Sequence, residues 1–179
     1  MLETLRRVVT DQGPNGKSKV WLNGPAGKIM EEAGYGVGEL WICKGQNPDL
    51  TGKEDTVLGD ISLEPPKGGV TFRYFIVSPE NKNMTAEERA ELDAATAAAF
   101  EMAGAGHARV DTSRHPAMHK TATLDFIILL RGAVTLLLDE DEVDLKQGDV
   151  VVQRATNHAW INHGEDPALL VAVLIDASA

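Results

Sequence analysis

The chain has 179 residues and a mass of 19.3 kDa, the size of one domain with an appended segment. Such a chain buries a core without disulfides or a structural metal. Lys and Arg number 17 against 27 Asp and Glu, a net charge of −10, which argues against a generic grip on nucleic-acid phosphates or an anionic membrane surface. The lone cysteine, Cys43, excludes an intrachain disulfide and a cysteine zinc cluster.

Residues 1–10 carry Arg6 and Arg7 but no apolar stretch of signal-peptide length, and the longest apolar run, Ala168 to Ile175, is eight residues. The expectation is a soluble, cytoplasmic protein. Residues 1–69 read as an extension of short strands and loops, with turn signals at Gly13-Pro14-Asn15-Gly16, Gly24-Pro25, Asn47-Pro48 and Pro65-Pro66. The runs Val20-Trp21-Leu22 and Leu40-Trp41-Ile42 are its strands. Thr71 to Val77, rich in β-branched and aromatic residues, opens the main domain, 70–179.

The spacing predicts one inserted helix over 85–103. Thr85 and Glu88 fit a capping box, and Glu87 and Glu88 suit the positive end of the helix dipole. Leu92, Ala95, Ala99, Phe100 and Ala103 form one apolar stripe, and Gly104 and Gly106 end the helix. After residue 120 the pattern is β throughout: Leu124–Leu130, Ala133–Leu138, Val143–Leu145, Asp149–Val152, His158–Asn162 and Ala168–Ile175. Short strands this close together predict an all-β sandwich or barrel rather than a parallel α/β sheet.

Of five histidines, His119 and His158 stand in telling contexts. His119 precedes an alternating run in which Thr121, Thr123 and Asp125 share one face, and Asp125 points the same way as Ile127 and Leu129. A carboxylate aimed into an apolar interior is costly unless paired or bound to a cation. His158 opens a strand and shares its face with Trp160 and Asn162. Two imidazoles and a carboxylate suit Fe, Mn, Ni, Co or Zn, and the same residues also read as ordinary polar groups at strand ends. Six residues of straight strand span about 20 Å, so His119 and Asp125 reach one ion only if the chain bends at 121–123.

These residues resemble the two motifs of the cupin family. The first runs as Ser113, five residues, His119-Lys120-Thr121, three residues, Asp125, six residues, Gly132. The second starts at Gly148 and ends in His158, three residues, Asn162, one residue shorter than usual from glycine to histidine. The spacer, 133–147, has the length of small bacterial cupins. Further segments are similar to small single-domain cupins: Arg6 to Thr10, Glu39-Leu40-Trp41, Pro65 to Arg73, and Asn157 to Trp160. The resemblance implies a double-stranded β-helix, the jelly-roll barrel, formed mainly by 70–80 and 108–176. The chain departs from the family pattern at Thr121, in place of the second motif histidine, at Asp125, in place of glutamate, and at Ala155, in place of a motif glycine.

By that resemblance a divalent transition metal is held by His119, Asp125 and His158, as in two-His-one-carboxylate sites. Thr121, Ile127, Leu129 and Trp160 line the pocket, and His115 and Tyr74 are candidates for acid–base work. Such a metal attracts anionic oxygens. The implied function is an enzyme on a small oxygenated organic molecule, as oxygenase or as lyase, decarboxylase or isomerase. The alternative is a ligand-binding or sensor cupin that has lost part of its metal site. The partners expected are a small molecule and a second copy of the chain, with no nucleic acid and no membrane.

Overall fold

The computed structural model describes residues 5–32 and 35–178. In chain order the elements are β1 (Arg6–Gln12), β2 (Ser18–Pro25), β3 (Lys28–Glu32), β4 (Tyr35–Cys43), β5 (Val70–Val77), α1 (Ala86–Met102) and a single 3-10 turn (Gly106–Ala108). Then follow β6 (Thr123–Arg131), β7 (Ala133–Leu138), β8 (Glu142–Lys146), β9 (Val150–Arg154), β10 (His158–Ile161) and β11 (Ala168–Asp176). All strand pairs are antiparallel, in a six-stranded sheet of order β3-β4-β5-β11-β6-β9, a three-stranded sheet of order β10-β7-β8, and a separate β1-β2 ribbon. This is the all-β jelly-roll architecture that the strand spacing and the resemblance imply. Among the described residues no helix is long and apolar enough to cross a membrane.

The barrel interior follows from strand alternation. On β6, Thr123, Asp125, Ile127 and Leu129 are buried, while Phe126, Ile128 and Leu130 are exposed. Ile127 and Leu129 join Val37, Phe75, Val134, Leu170, Ala172 and Leu174 in the main core, with Trp160 packed against it. A second cluster, Ala26, Leu40, Tyr74, Ile76 and Leu169, lies on the other face of β4, β5 and β11. There residues of the N-terminal segment cover the sheet, with Leu5 and Ile29 alongside. Arg7 pins this cover, donating to the Leu40 carbonyl at 3.0 Å and pairing with Asp55.

The sequence reading leaves β1 and β3 unassigned. Their alternation is carried by charged residues, Arg6 and Arg7 in one and Lys28 and Glu31 in the other, which hides the period of two. The helix has its predicted capping box: Glu88 N–H donates to Thr85 Oγ1 at 3.2 Å, and Thr85 N–H to Glu88 Oε2 at 2.6 Å. Its inward stripe departs at one position. Ala95 is exposed and Thr96 is half-buried, so the contact face runs Leu92, Thr96, Ala99, Phe100, Ala103. No residue of α1 is fully buried.

Two backbone details follow from the motif residues. Gly132 and Gly148 have φ of 85° and 92°, which only glycine adopts at low cost. Ala155, where cupins carry a glycine, keeps a left-handed φ of 50°. A Cβ there costs about 1–2 kcal/mol. Ala155→Gly is therefore expected to raise the unfolding free energy by up to about 1 kcal/mol, the relief being partly offset by the greater freedom of the unfolded chain. Denaturant melts check this, and a loss of stability would show that the turn carries no strain.

The interior also holds a charged pair. Arg73 Nη2 donates to Glu39 Oε1 at 2.7 Å, and Arg73 also reaches the Leu63 and Ser62 carbonyls at 3.1 and 2.5 Å. Glu39→Leu leaves that guanidinium buried without its counter-charge, so the unfolding free energy is expected to fall by about 3–5 kcal/mol. The double change Glu39→Leu with Arg73→Met is expected to recover most of it. Equal losses in the single and double variants would contradict this account.

Candidate functional site

The backbone builds the site before any side chain does. His119 and His158 form an isolated antiparallel bridge, each N–H donating to the other's carbonyl at 2.9 Å. The chain leaves this bridge, bends at Ala122 and only then enters β6. The bend falls within the 121–123 stretch that the spacing argument requires. The bridge sets the two imidazoles side by side, ring centroids 4.3 Å apart and planes tilted by 47°.

Each ring is oriented in the same way. His119 Nδ1 lies 2.9 Å from the Ala117 carbonyl, and His158 Nδ1 lies 3.0 Å from the Thr156 carbonyl. A carbonyl only accepts, so each Nδ1 carries the proton and donates it, leaving each Nε2 with its lone pair. Burial holds both imidazoles below their ordinary proton affinity. His158 is pushed down to about 3, by burial first and by neighbouring His119 second. The pair is neutral at physiological pH. Aromatic rings flank it: Phe100 of α1 meets His119 edge-on at 5.1 Å, Trp160 meets His158 at 5.7 Å, and Phe75 meets Trp160 at 6.0 Å.

Asp125 is buried inside the barrel, as its register on β6 requires. Burial pushes its carboxyl up to about 6, against the lowering effect of the Thr123 hydroxyl and of Arg73. Its Oδ1 has no hydrogen-bond partner. Thr121, the replacement for the second motif histidine, bonds instead to Thr123, Oγ1 to Oγ1 at 2.7 Å. Among the described residues no three or more His, Cys, Asp or Glu side chains are grouped so as to hold a metal ion. His119 and His158 therefore come together as expected, and Asp125 does not join them as a third ligand. The physical reason lies on β6. Asp125 is fixed opposite Gln153 and Leu174 by the sheet register, while the imidazoles sit at the bridge beyond the bend. The donor set is one ligand short of the two-His-one-carboxylate shell, so these residues do not fit a resident divalent metal of that type.

The other candidates are placed as follows. Ile127 and Leu129 are core residues on the interior face with Trp160. His115 is locked away from the pair: its Nδ1 accepts from Ala117 N–H at 3.1 Å and its Nε2 lies 3.2 Å from Glu80 Oε1. Tyr74 belongs to the outer-face cluster, its neighbours Arg73 and Phe75 pointing the opposite way. A Cβ on Gly38 would overlap the Tyr74 ring, so the phenol packs there against backbone rather than facing the imidazoles. Asn162, the end of the second motif, donates to the Val77 and Asp166 carbonyls at 2.8 and 2.9 Å and so acts as a loop clamp. Sequence reasoning missed Phe100 as a lid on His119, and Glu39 and Arg73 as interior charges. The alternation of β4 and β5 carries the signal for the last two, a charged residue at an inward position of an apolar strand.

Residues 106–174 match the family described as Cupin_2, the cupin domain. The chain carries a cupin domain. A stretch of 63 residues is 41% identical to "Cupin-domain-containing oxidoreductase srdD" of Neurospora crassa, covering 33% of this chain and 32% of that protein. Another of 46 residues is 50% identical to "Phomopsin biosynthesis cluster protein C'" of Diaporthe leptostromiformis, covering 25% and 24%. The matched stretch thus spans a third or less of these relatives' length. Among solved structures, the plu4264 protein from Photorhabdus luminescens aligns with a TM-score of 0.43 at 11% identity, over 83% of this chain and 81% of that one.

The buried groups predict opposed pH effects. Asp125, raised in the folded state, binds more protons folded than unfolded between about pH 4 and 6, so stability falls as pH rises through that window. The imidazoles, depressed in the folded state, add stability that is present above about 6.5 and lost as pH falls. Asp125→Asn is therefore expected to steepen the rise of stability between about pH 4 and 6.5, and His158→Gln to flatten it. Denaturant melts across pH read both, and a profile unchanged by Asp125→Asn would mean an ordinary carboxyl.

Proposed function

We propose that this cupin is an enzyme that binds a small oxygenated organic molecule at the His119–His158 pair and carries out oxidoreductase chemistry on it, with dioxygen from solution as the co-substrate that accepts the electrons. One observation carries the reading: two bridged, neutral imidazoles with both Nδ1 protons committed to backbone carbonyls and both Nε2 lone pairs left for a ligand. Such a pair accepts hydrogen bonds from a hydroxyl, enol or phenol. Because His158 stays uncharged down to about pH 3, its role is to orient the ligand rather than to take a proton outright. Trp160 supplies an apolar wall for the ligand's carbon frame, and Phe100 a cover. The oxidoreductase class is supported by the names of relatives that share the domain. A net charge of −10 fits a small-molecule partner better than nucleic acid or an anionic membrane.

A second reading keeps the metal of the sequence analysis and requires Asp125, which stands apart from the imidazoles in this structure, to move in and complete the set. It is favoured by the Nδ1–carbonyl bonds, since metal-bound imidazoles are held that way. Turnover of a panel of phenols, enols and 2-oxo acids, followed with metal analysis and chelation, separates the two. Turnover that survives chelation and falls by about 100-fold or more in His158→Gln is the outcome expected of the imidazole site. Turnover lost on chelation, with one metal per chain that disappears in His158→Gln, establishes the second reading. Ligand binding without turnover of any compound leaves the non-catalytic alternative, and a panel result indifferent to His158→Gln sinks the site.

A further inference from the structure

The turn that leads into the imidazole bridge carries another buried histidine. His115, Pro116, Ala117 and Met118 form a tight turn, closed by Met118 N–H on the His115 carbonyl at 3.0 Å, with proline where its fixed φ suits such a turn. The amide between Pro116 and Ala117 is held on both polar atoms. Arg109 donates to its carbonyl through Nε at 3.3 Å and Nη2 at 2.9 Å, and its N–H donates to His115 Nδ1 at 3.1 Å. A backbone N–H only donates, so His115 Nδ1 carries no proton, and the ring proton sits on Nε2, 3.2 Å from Glu80 Oε1. His115 thus holds the opposite tautomer to His119 and His158. Glu80 is fastened in its turn, its N–H donating to the Asn162 carbonyl at 2.9 Å. The two side chains are 7 and 20% exposed.

We propose that Glu80 and His115 are positioning residues for His119: they hold Ala117 so that its carbonyl accepts from His119 Nδ1–H, which keeps His119 Nε2 free for a ligand. Direction is the first argument. His119 Nδ1–H donates to the Ala117 carbonyl at 2.9 Å, Ala117 N–H donates to His115, and His115 Nε2–H donates to Glu80, so every donor points toward one carboxylate. The carboxylate fixes the His115 proton on Nε2, and this leaves Nδ1 as the acceptor that Ala117 N–H requires. Location is the second argument. Ala117 lies in a turn outside any strand, where no ladder fixes its carbonyl, so side chains must. His158 has a separate device: the Thr156 carbonyl that orients it also accepts from Gln153 Nε2 at 3.1 Å. The inference rests on the reading above only in giving His119 Nε2 to a ligand; the orientation belongs to the free protein.

Nitrogen-15 NMR of the full chain with labelled histidine reads the tautomers. The unmodified protein is expected to show Nδ1–H at His119 and His158 and Nε2–H at His115. His115→Phe keeps an aromatic ring but neither nitrogen. It is expected to raise the ratio of Nε2–H to Nδ1–H at His119 by about fivefold, the factor for one ordinary hydrogen bond lost, and to leave His158 unchanged. Glu80→Ala, at the more exposed position, is expected to shift His119 the same way by a smaller factor, and it decides the matter where His115→Phe fails to fold. Glu80→Gln, whose amide oxygen still accepts from Nε2–H, is expected to restore the single tautomer. An unchanged His119 tautomer in the folded variants overturns the proposal, and so does an equal shift at His158, which marks general loosening. Turnover of the compound panel by the same variants keeps the two readings apart. A His119 shift with turnover untouched upholds the positioning and sinks the imidazole site. Turnover lost with both tautomers in place overturns the positioning and leaves that site standing.

Discussion

The reciprocal pair of backbone hydrogen bonds between His119 and His158 is the contact on which the candidate site depends. It joins β10, part of the three-stranded sheet, to the segment that leads into β6 of the six-stranded sheet. Backbone alone makes the join, so the side chains on either side remain free for other work. Each imidazole then spends one nitrogen on a carbonyl two residues upstream, which fixes the ring plane and leaves the second nitrogen unprotonated. Neutrality follows from the same placement, because burial and a like neighbour both disfavour a charge.

The rest of the barrel interior is polar along one strip. Glu39, Arg73 and Asp125 lie on β4, β5 and β6, and each retains one buried atom without a hydrogen-bond partner: Oε2, Nε and Oδ1. Such atoms cost free energy and are few in folded proteins. The apolar core at Leu129, Leu170 and Phe75 offsets that cost. Cohesion therefore comes from one region of the barrel and the unsatisfied polar atoms from another.

Much of this was legible in the sequence. Alternation on β6 separates Asp125, Ile127 and Leu129 from Phe126 and Ile128 without any structural input, and the capping residues Thr85 and Glu88 mark the helix start. The motif spacing located both imidazoles, and the glycines at 132 and 148 stand where φ is positive. The separation of the carboxylate from the imidazoles was not legible, because face and distance are separate questions. Residue parity says that Asp125 points inward, but the sheet register with Gln153 and Leu174 sets how far along the barrel it stands. Tyr74 failed for a related reason: a strand with Arg73 and Phe75 inward must place Tyr74 outward, and only the N-terminal cover makes that position buried. Phe100 on His119 joins two segments whose meeting no local pattern encodes.

The helix gives the molecule two clocks. No residue of α1 is fully buried, and its ties to the barrel are few: the Phe100 ring on His119, Arg89 to the Ser113 carbonyl, and Asp93 to Arg109. Segments held by so little open at a cost well below that of unfolding the whole chain. Amide exchange in α1 is thereby governed by local fraying, while β6 and β11 exchange only when the barrel comes apart.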